Sequence, residues 1–409
     1  MKKTDLKKYA RLIARKGANV QPGQQVVVAA AVTDADFVHM VVDECYKAGA
    51  STVSVEWGDD ALTLLDYKYA DVKDLQEFPR WLQEKWKYRA KKLPARIYID
   101  SSDPDALAAI DQNKQMAVRK VISPKVWKYR KPMEGHYQWT IVAMPSEAWA
   151  KKLFPEDTGK QAVEKLWQAI MTTTRLHGDP VKNWEEHSAN LAAKCAILNG
   201  MNIKTLTYHN SKGTDFTVGL MPQAVFAAGA EDTFEGITFQ PNMPTEECFT
   251  SPDKRTANGT VMASLPLSLM GKVVSDFGFT FKDGKVVDVI ARNEEEKKML
   301  SDLVNMDEGA SYLGEVALVP FDSPINQTGL LFYNTLFDEN AVCHLAIGMG
   351  FTDVIPGYEK MTEEERKALP LNDSVVHTDF MIGTADLSIV AETESGKTVQ
   401  IFKDGTWAI

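Results

Sequence analysis

The first third of the chain alternates short apolar runs with longer stretches whose apolar positions recur every three to four residues. Gln25-Val26-Val27-Val28-Ala29-Ala30 is apolar and largely β-branched without a break, the pattern of a strand buried on both faces. From Asp34 to Gly49 the residues Phe37, Val41 and Cys45 fall on one helical face, and Gly49 supplies a stop. Ser51–Val55 predicts a second strand, roughly 60–93 predicts acidic and aromatic helices, and Ala95–Ile99 predicts a third strand. Asp103-Pro104 predicts another helix start, with the aspartate as cap and the proline inside the first turn. A further strand is predicted near Gln138–Ala143. This rhythm implies a mostly parallel sheet wrapped by helices.

Asp179-Pro180 opens a helical pattern through Trp184, His187, Leu191 and Cys195 that stops at Asn199-Gly200. After it the texture changes to short strands with turn signals. Lys204–His209 and Phe216–Gly219 flank the turn Ser211–Asp215, and Asp283-Gly284 predicts a tight hairpin between Phe277–Phe281 and Val286–Ile290. The expected fold class is therefore α/β, with an N-terminal α/β domain over 1–199 built on a mostly parallel sheet. A mixed α+β domain is expected over 200–409.

A length of 409 residues suits two domains, and 44% hydrophobic with 25% charged residues is an ordinary globular composition. A formal charge of −10 argues against nucleic acid or an anionic membrane as partner, since both select basic patches. Lys2, Lys3, Arg11, Arg15 and Lys16 interrupt the N-terminal segment, which reads as an amphipathic helix rather than a signal peptide. No stretch approaches the roughly 18 uninterrupted apolar residues of a spanning helix. Cys45, Cys195, Cys248 and Cys343 are far apart and form no C-x-x-C pair, so reduced thiols and a cytoplasmic location are expected. Thr33-Asp34-Ala35-Asp36 follows the first strand where a dinucleotide-binding chain carries glycines, and an acidic turn repels a pyrophosphate.

Candidate chemistry gathers in the second half. Val375–Ile382 alternates like a strand, so His377 and Asp379, two apart, project together as half of a divalent-metal site. An Asp–His hydrogen bond at a strand end is the alternative. In Asp338–His344, helical spacing leaves Glu339 and His344 about a third of a turn out of line, so they share a pocket only at a helix end or bend. Glu315 interrupts the apolar run Tyr312–Val319; it is either metal-bound or on the solvated face of an edge strand. Glu246-Glu247 stands in a proline-flanked turn where two acids are usually solvated. Together these residues offer up to four carboxylates and two imidazoles, a set suited to a pair of Zn, Co or Mn ions that activate water. No G-x-S-x-G, H-E-x-x-H or P-loop motif competes.

Several of these segments, in order, carry a resemblance. They are Asp179-Pro180-Val181 through Trp184–His187, Lys212–Asp215, Asn242–Pro252, Gly314–Ala317, Asp338–Gly348 and His377–Gly383. Across essentially its whole length the chain resembles the M29, or thermophilic metalloprotease, aminopeptidases, in their PepS/AmpS-like bacterial branch. The resemblance implies a dimeric exopeptidase with two divalent metal ions per subunit that releases N-terminal amino acids from peptides. It places the metal ligands at Glu247, Glu315, His344, His377 and Asp379, with Glu339 as a sixth and Glu315 as the bridging carboxylate. Trp184 and His187 match it too, but their helical periodicity assigns them to packing and capping. One departure stands out: Phe351 occupies the position of a tyrosine that steadies the developing oxyanion in the family, and phenylalanine has no hydroxyl to donate. Tyr358 is the nearby candidate to serve instead. A non-catalytic peptide- or partner-binding homologue, and a two-metal hydrolase of another small amide or ester, are the rival readings.

Overall fold

The computed structural model describes residues 1–269 and 272–409. The chain divides into two compact units: Met1–Glu185 with Ala230–Pro244, and Glu186–Gly229 with Thr245–Ile409. The division falls within the helix Pro180–Gly200.

The first unit is built on β1 (Gln25–Ala31), β2 (Thr52–Gly58), β3 (Ala95–Asp100) and β4 (Trp139–Ala143). The sheet order is β2-β1-β3-β4 followed by the two-residue strand Asn242–Met243, and every neighbouring pair is parallel. Parallel strands need crossovers, and the helices between them supply these. The β-branched run of β1 is buried because it lies inside the sheet. Helix Ala35–Ala48 buries Phe37, Val38, Val41 and Cys45, and ends at Gly49, whose φ of 109° is the left-handed conformation that closes a helix.

Asp103-Pro104 opens no α-helix. Successive i to i+3 bonds, Ala106 N to Asp103 O, Ala108 N to Asp105 O and Ile110 N to Leu107 O, fold 103–110 into turns. The helix begins at Gln112, where the Asp111 carboxylate accepts the backbone N–H of Lys114. A capping aspartate satisfies backbone donors equally in a turn and at a helix start, so the local signal did not separate them.

The second unit contains β5 (Ile203–His209), β6 (Asp215–Gly219), β7 (Cys248–Thr250), β8 (Asn258–Met262), β9 (Gly278–Lys282), β10 (Lys285–Ile290), β11 (Leu313–Leu318), β12 (His344–Gly348), β13 (His377–Met381), β14 (Ser388–Thr393), β15 (Thr398–Lys403) and β16 (Thr406–Trp407). Eight of them form an antiparallel sheet in the order β10-β9-β8-β6-β5-β14-β15-β16. The hairpin between β9 and β10 turns on Asp283 and Gly284, both with positive φ (50° and 86°) as a type I′ turn requires. The remaining four form a second antiparallel sheet, β7-β11-β12-β13.

Alternation gives this smaller sheet two unlike faces. In register across β11, β12 and β13, Val316 pairs with Leu345 and Leu345 with Phe380. All three are buried in one apolar core with Phe277 and Phe279. One residue along, Glu315 pairs with Ala346 and Ala346 with Asp379, so this row projects from the opposite face. The apolar row fixes the register, because a one-residue slip would drive Glu315 and Asp379 into the hydrophobic core.

Candidate metal centre

Five side chains meet on the polar face of the four-stranded sheet. Glu247 directly precedes β7, Glu315 lies mid-β11, His344 opens β12, and His377 and Asp379 alternate along β13. Between Glu315 and Asp379 the middle strand presents only Ala346, whose methyl leaves space for the two acids to lean together. His377 pairs with Gly348, which likewise adds no bulk.

The contacts define two groups. His344 Nε2 lies 3.3 Å from Glu247 Oε2 and 3.8 Å from Glu315 Oε1. His377 Nε2 lies 3.3 Å from both Glu315 Oε2 and Asp379 Oδ1. In each group, Glu247–Glu315–His344 and Glu315–His377–Asp379, one ligand atom per residue falls within 4.8 Å of the others. Glu315 belongs to both and turns a different oxygen to each imidazole. Neither group contains sulfur, and mixed carboxylate–imidazole donors suit Zn, Co or Mn.

Glu315 is not on an edge strand: β11 is flanked by β7 and β12, and all six of its residues are buried. Glu246 and Glu247 are buried rather than solvated. Glu247 faces His344, whereas Glu246 turns toward His187, with 3.9 Å between its Oε2 and His187 Nε2. The same His187 nitrogen lies 2.8 Å from the Thr245 carbonyl, which it bonds as a donor, pinning the turn that carries both acids. Glu339 and His344 do not share a helix: Glu339 starts the 3₁₀ turn Glu339–Ala341 and His344 starts β12. Glu339 falls outside both groups.

Phe351 stands at the site, its ring centroid 4.9 Å from that of His377 and 5.4 Å from that of Phe249. Tyr358 packs with Val354 and Ile355, under the Arg366 guanidinium at 4.7 Å, and belongs to neither ligand group.

Two supporting contacts have no signature in residue type and were not anticipated. His377 Nδ1 donates to the Met349 carbonyl at 2.8 Å, which leaves Nε2 as the lone-pair nitrogen facing the acids. Asn340, fully buried, accepts the Glu246 N–H through Oδ1 at 2.8 Å and donates through Nδ2 to Glu339 Oε1 at 3.2 Å. Only the adjacency of Asn340 to Glu339 could have pointed to it.

The electrostatics are those of acids crowded out of water. Burial pushes Glu315 up to about 7, against the opposing pull of the His377 hydrogen bond and the His344 charge. Burial also raises Asp379, but the His377 hydrogen bond and the two imidazole charges outweigh it and hold Asp379 below its ordinary range. For His344 and His377, burial disfavours the charged form. Hydrogen bonds and charges from Glu247, Glu315 and Asp379 prevail and raise them to about 10 and about 11.

The metal-free imidazoles are thus protonated at neutral pH, and a divalent cation must displace those protons. Each site's apparent affinity should therefore rise by about tenfold per pH unit between about pH 6 and 8, for at least one proton released per ion. Calorimetric titration in buffers of different ionisation enthalpy measures the release. Affinity independent of pH would show that the imidazoles are neutral before the ion arrives.

A family model described as thermophilic metalloprotease (M29) matches residues 2–407 of this chain. Aminopeptidase AmpS of Bacillus subtilis (strain 168) is 41% identical over 405 residues, covering 98% of each chain. Aminopeptidase 2 of Geobacillus stearothermophilus is 40% identical over 406 residues, covering 99% of this chain and 98% of its own. The solved structure of wild-type AmpT from Thermus thermophilus superposes with a TM-score of 0.90 at 35% identity, covering 100% of both chains.

Proposed function

The chain belongs to the thermophilic metalloprotease (M29) family, and on that premise we propose that it is an aminopeptidase working with two divalent cations. The observation that carries the two-metal reading is the sharing of Glu315, with Oε1 toward His344 and Oε2 toward His377. A carboxylate whose two oxygens serve two separate donor groups is the form a bridging ligand takes. Glu247 and His344 would complete one site, and His377 and Asp379 the other. When bound, the cations supply Lewis acidity toward a peptide carbonyl and bring the ionisation of water toward neutrality.

This chain's own residues set the conditions for that chemistry. The Met349 carbonyl holds the His377 tautomer, and His187 holds the Thr245–Glu247 turn. Val316, Leu345 and Phe380 keep the sheet rigid beneath the site. Phe249 and Phe351 give an apolar wall beside His377, which favours exclusion of bulk water.

Substrates would be peptides with a free N-terminus, and the absence among the described residues of any helix long and apolar enough to cross a membrane accords with a cytoplasmic enzyme. Hydrolysis of unblocked dipeptides should disappear on chelation and return when Zn, Co or Mn is restored. Turnover that persists in metal-stripped protein would reject the metalloenzyme reading.

A further inference from the structure

We propose that Glu339 receives the free α-ammonium group of the substrate, and so restricts the site to the ends of chains. The proposal rests on the aminopeptidase reading above and assigns Glu339 to substrate instead of metal.

Glu339 stands at the start of the 3₁₀ turn that packs against β13, beside the metal centre. Its charge is felt by Asp379, Glu247, His344 and Glu315, yet it supplies no atom to either ligand group. Its one hydrogen bond among the described residues is neutral, from Asn340 Nδ2 to Oε1. The other oxygen, Oε2, has no partner there, and no lysine, arginine or histidine pairs with the carboxylate. Asn340 is itself immobilised, since its Oδ1 accepts the Glu246 N–H and its Nδ2 also reaches the Leu336 carbonyl at 3.3 Å. The Glu339 carboxylate is therefore held in a fixed orientation with one oxygen free.

Unlike the buried Glu315 and His344, Glu339 retains partial exposure, so a ligand can reach it. Burial first, and then the charges of Asp379 and Glu247, push it well above the usual carboxylate range. A carboxylate so destabilised lacks a counter-charge, and an ammonium bound to Oε2 supplies one through a charge-assisted hydrogen bond. A peptide interior offers only a neutral amide there and leaves the deficit in place. The difference favours a terminal residue.

The test uses the metal-loaded enzyme, the Glu339→Gln variant, and a pair of inhibitors: an amino-acid hydroxamate and the same hydroxamate lacking its α-amino group. Wild type should bind the amino compound more tightly by about 10- to 100-fold, the range of a hydrogen bond to a charged group. Glu339→Gln should lose that preference while binding the des-amino compound as wild type does, and should retain the wild-type metal content. Glu339→Asp, which keeps the charge, should recover part of the preference. Loss of a metal equivalent in Glu339→Gln, or an equal weakening of both inhibitors, would overturn the proposal. Wild type that binds neither metal nor either hydroxamate would instead overturn the aminopeptidase reading on which it depends.

Discussion

Replacing Glu315 with glutamine should lower kcat/KM by about a thousandfold or more, because one substitution removes a ligand from both cation sites. The several kcal/mol of charge stabilisation that metal catalysis supplies correspond to about three decades of rate at roughly 1.4 kcal/mol per decade. Steady-state hydrolysis of an unblocked dipeptide measures it, and a loss under tenfold would remove Glu315 from the centre of the account. A structural explanation of the same loss makes a different prediction for the metal-free protein. The folded-state pKa of Glu315, about 7, lies above the ordinary 4.5. Ionisation of this buried acid is therefore less favourable in the fold than in the unfolded chain. Its contribution is most favourable below the unfolded value and is lost as pH rises toward the folded one. At neutral pH, Glu315→Gln relieves that burden, and metal-free variant should unfold at or above the temperature of metal-free wild type. The site would then be a place where stability is given up for metal binding.

The second large effect runs in the opposite direction. Phe351→Tyr should raise kcat by at least about tenfold with KM little changed. The resemblance that assigns a tyrosine to this position assigns it to the developing oxyanion, and such a donor is worth about a hundred- to a thousandfold where it acts. Phe351 lies against the His377 ring, so a hydroxyl added to it enters the site, whereas Tyr358 packs elsewhere beneath Arg366. A gain confined to kcat marks an interaction made in the transition state alone. An unchanged kcat would mean that the bound cations and the existing donors already satisfy the oxyanion.

The strands and helices of the first unit follow local rules, and β1 to β4 lie where runs of apolar residues predict them. The failure at Asp103-Pro104 is also local, since a capping carboxylate is indifferent to whether an i to i+3 or an i to i+4 bond follows it. In the second unit the His377–Asp379 pair is legible because strand period alone places them on one face. What brings Glu315 to them is the register of β11 on β12 and of β12 on β13, set by Val316, Leu345 and Phe380 in a core assembled from distant segments. No local pattern encodes that register. The burial of Glu246 and Glu247 is equally non-local, because it depends on Asn340 and His187 to satisfy the turn. The Met349 carbonyl that orients His377 is backbone, which every residue type offers alike.

Counting bound metal in four proteins tests the bridging role of Glu315 most directly: wild type, Glu247→Ala, Asp379→Ala and Glu315→Ala, each metal-loaded, dialysed and assayed by elemental analysis. Shared ligation predicts two equivalents per chain in wild type and one in each of Glu247→Ala and Asp379→Ala. Glu315→Ala should retain fewer than either. A single equivalent in wild type, or Glu315→Ala retaining as much metal as Asp379→Ala, would contradict it.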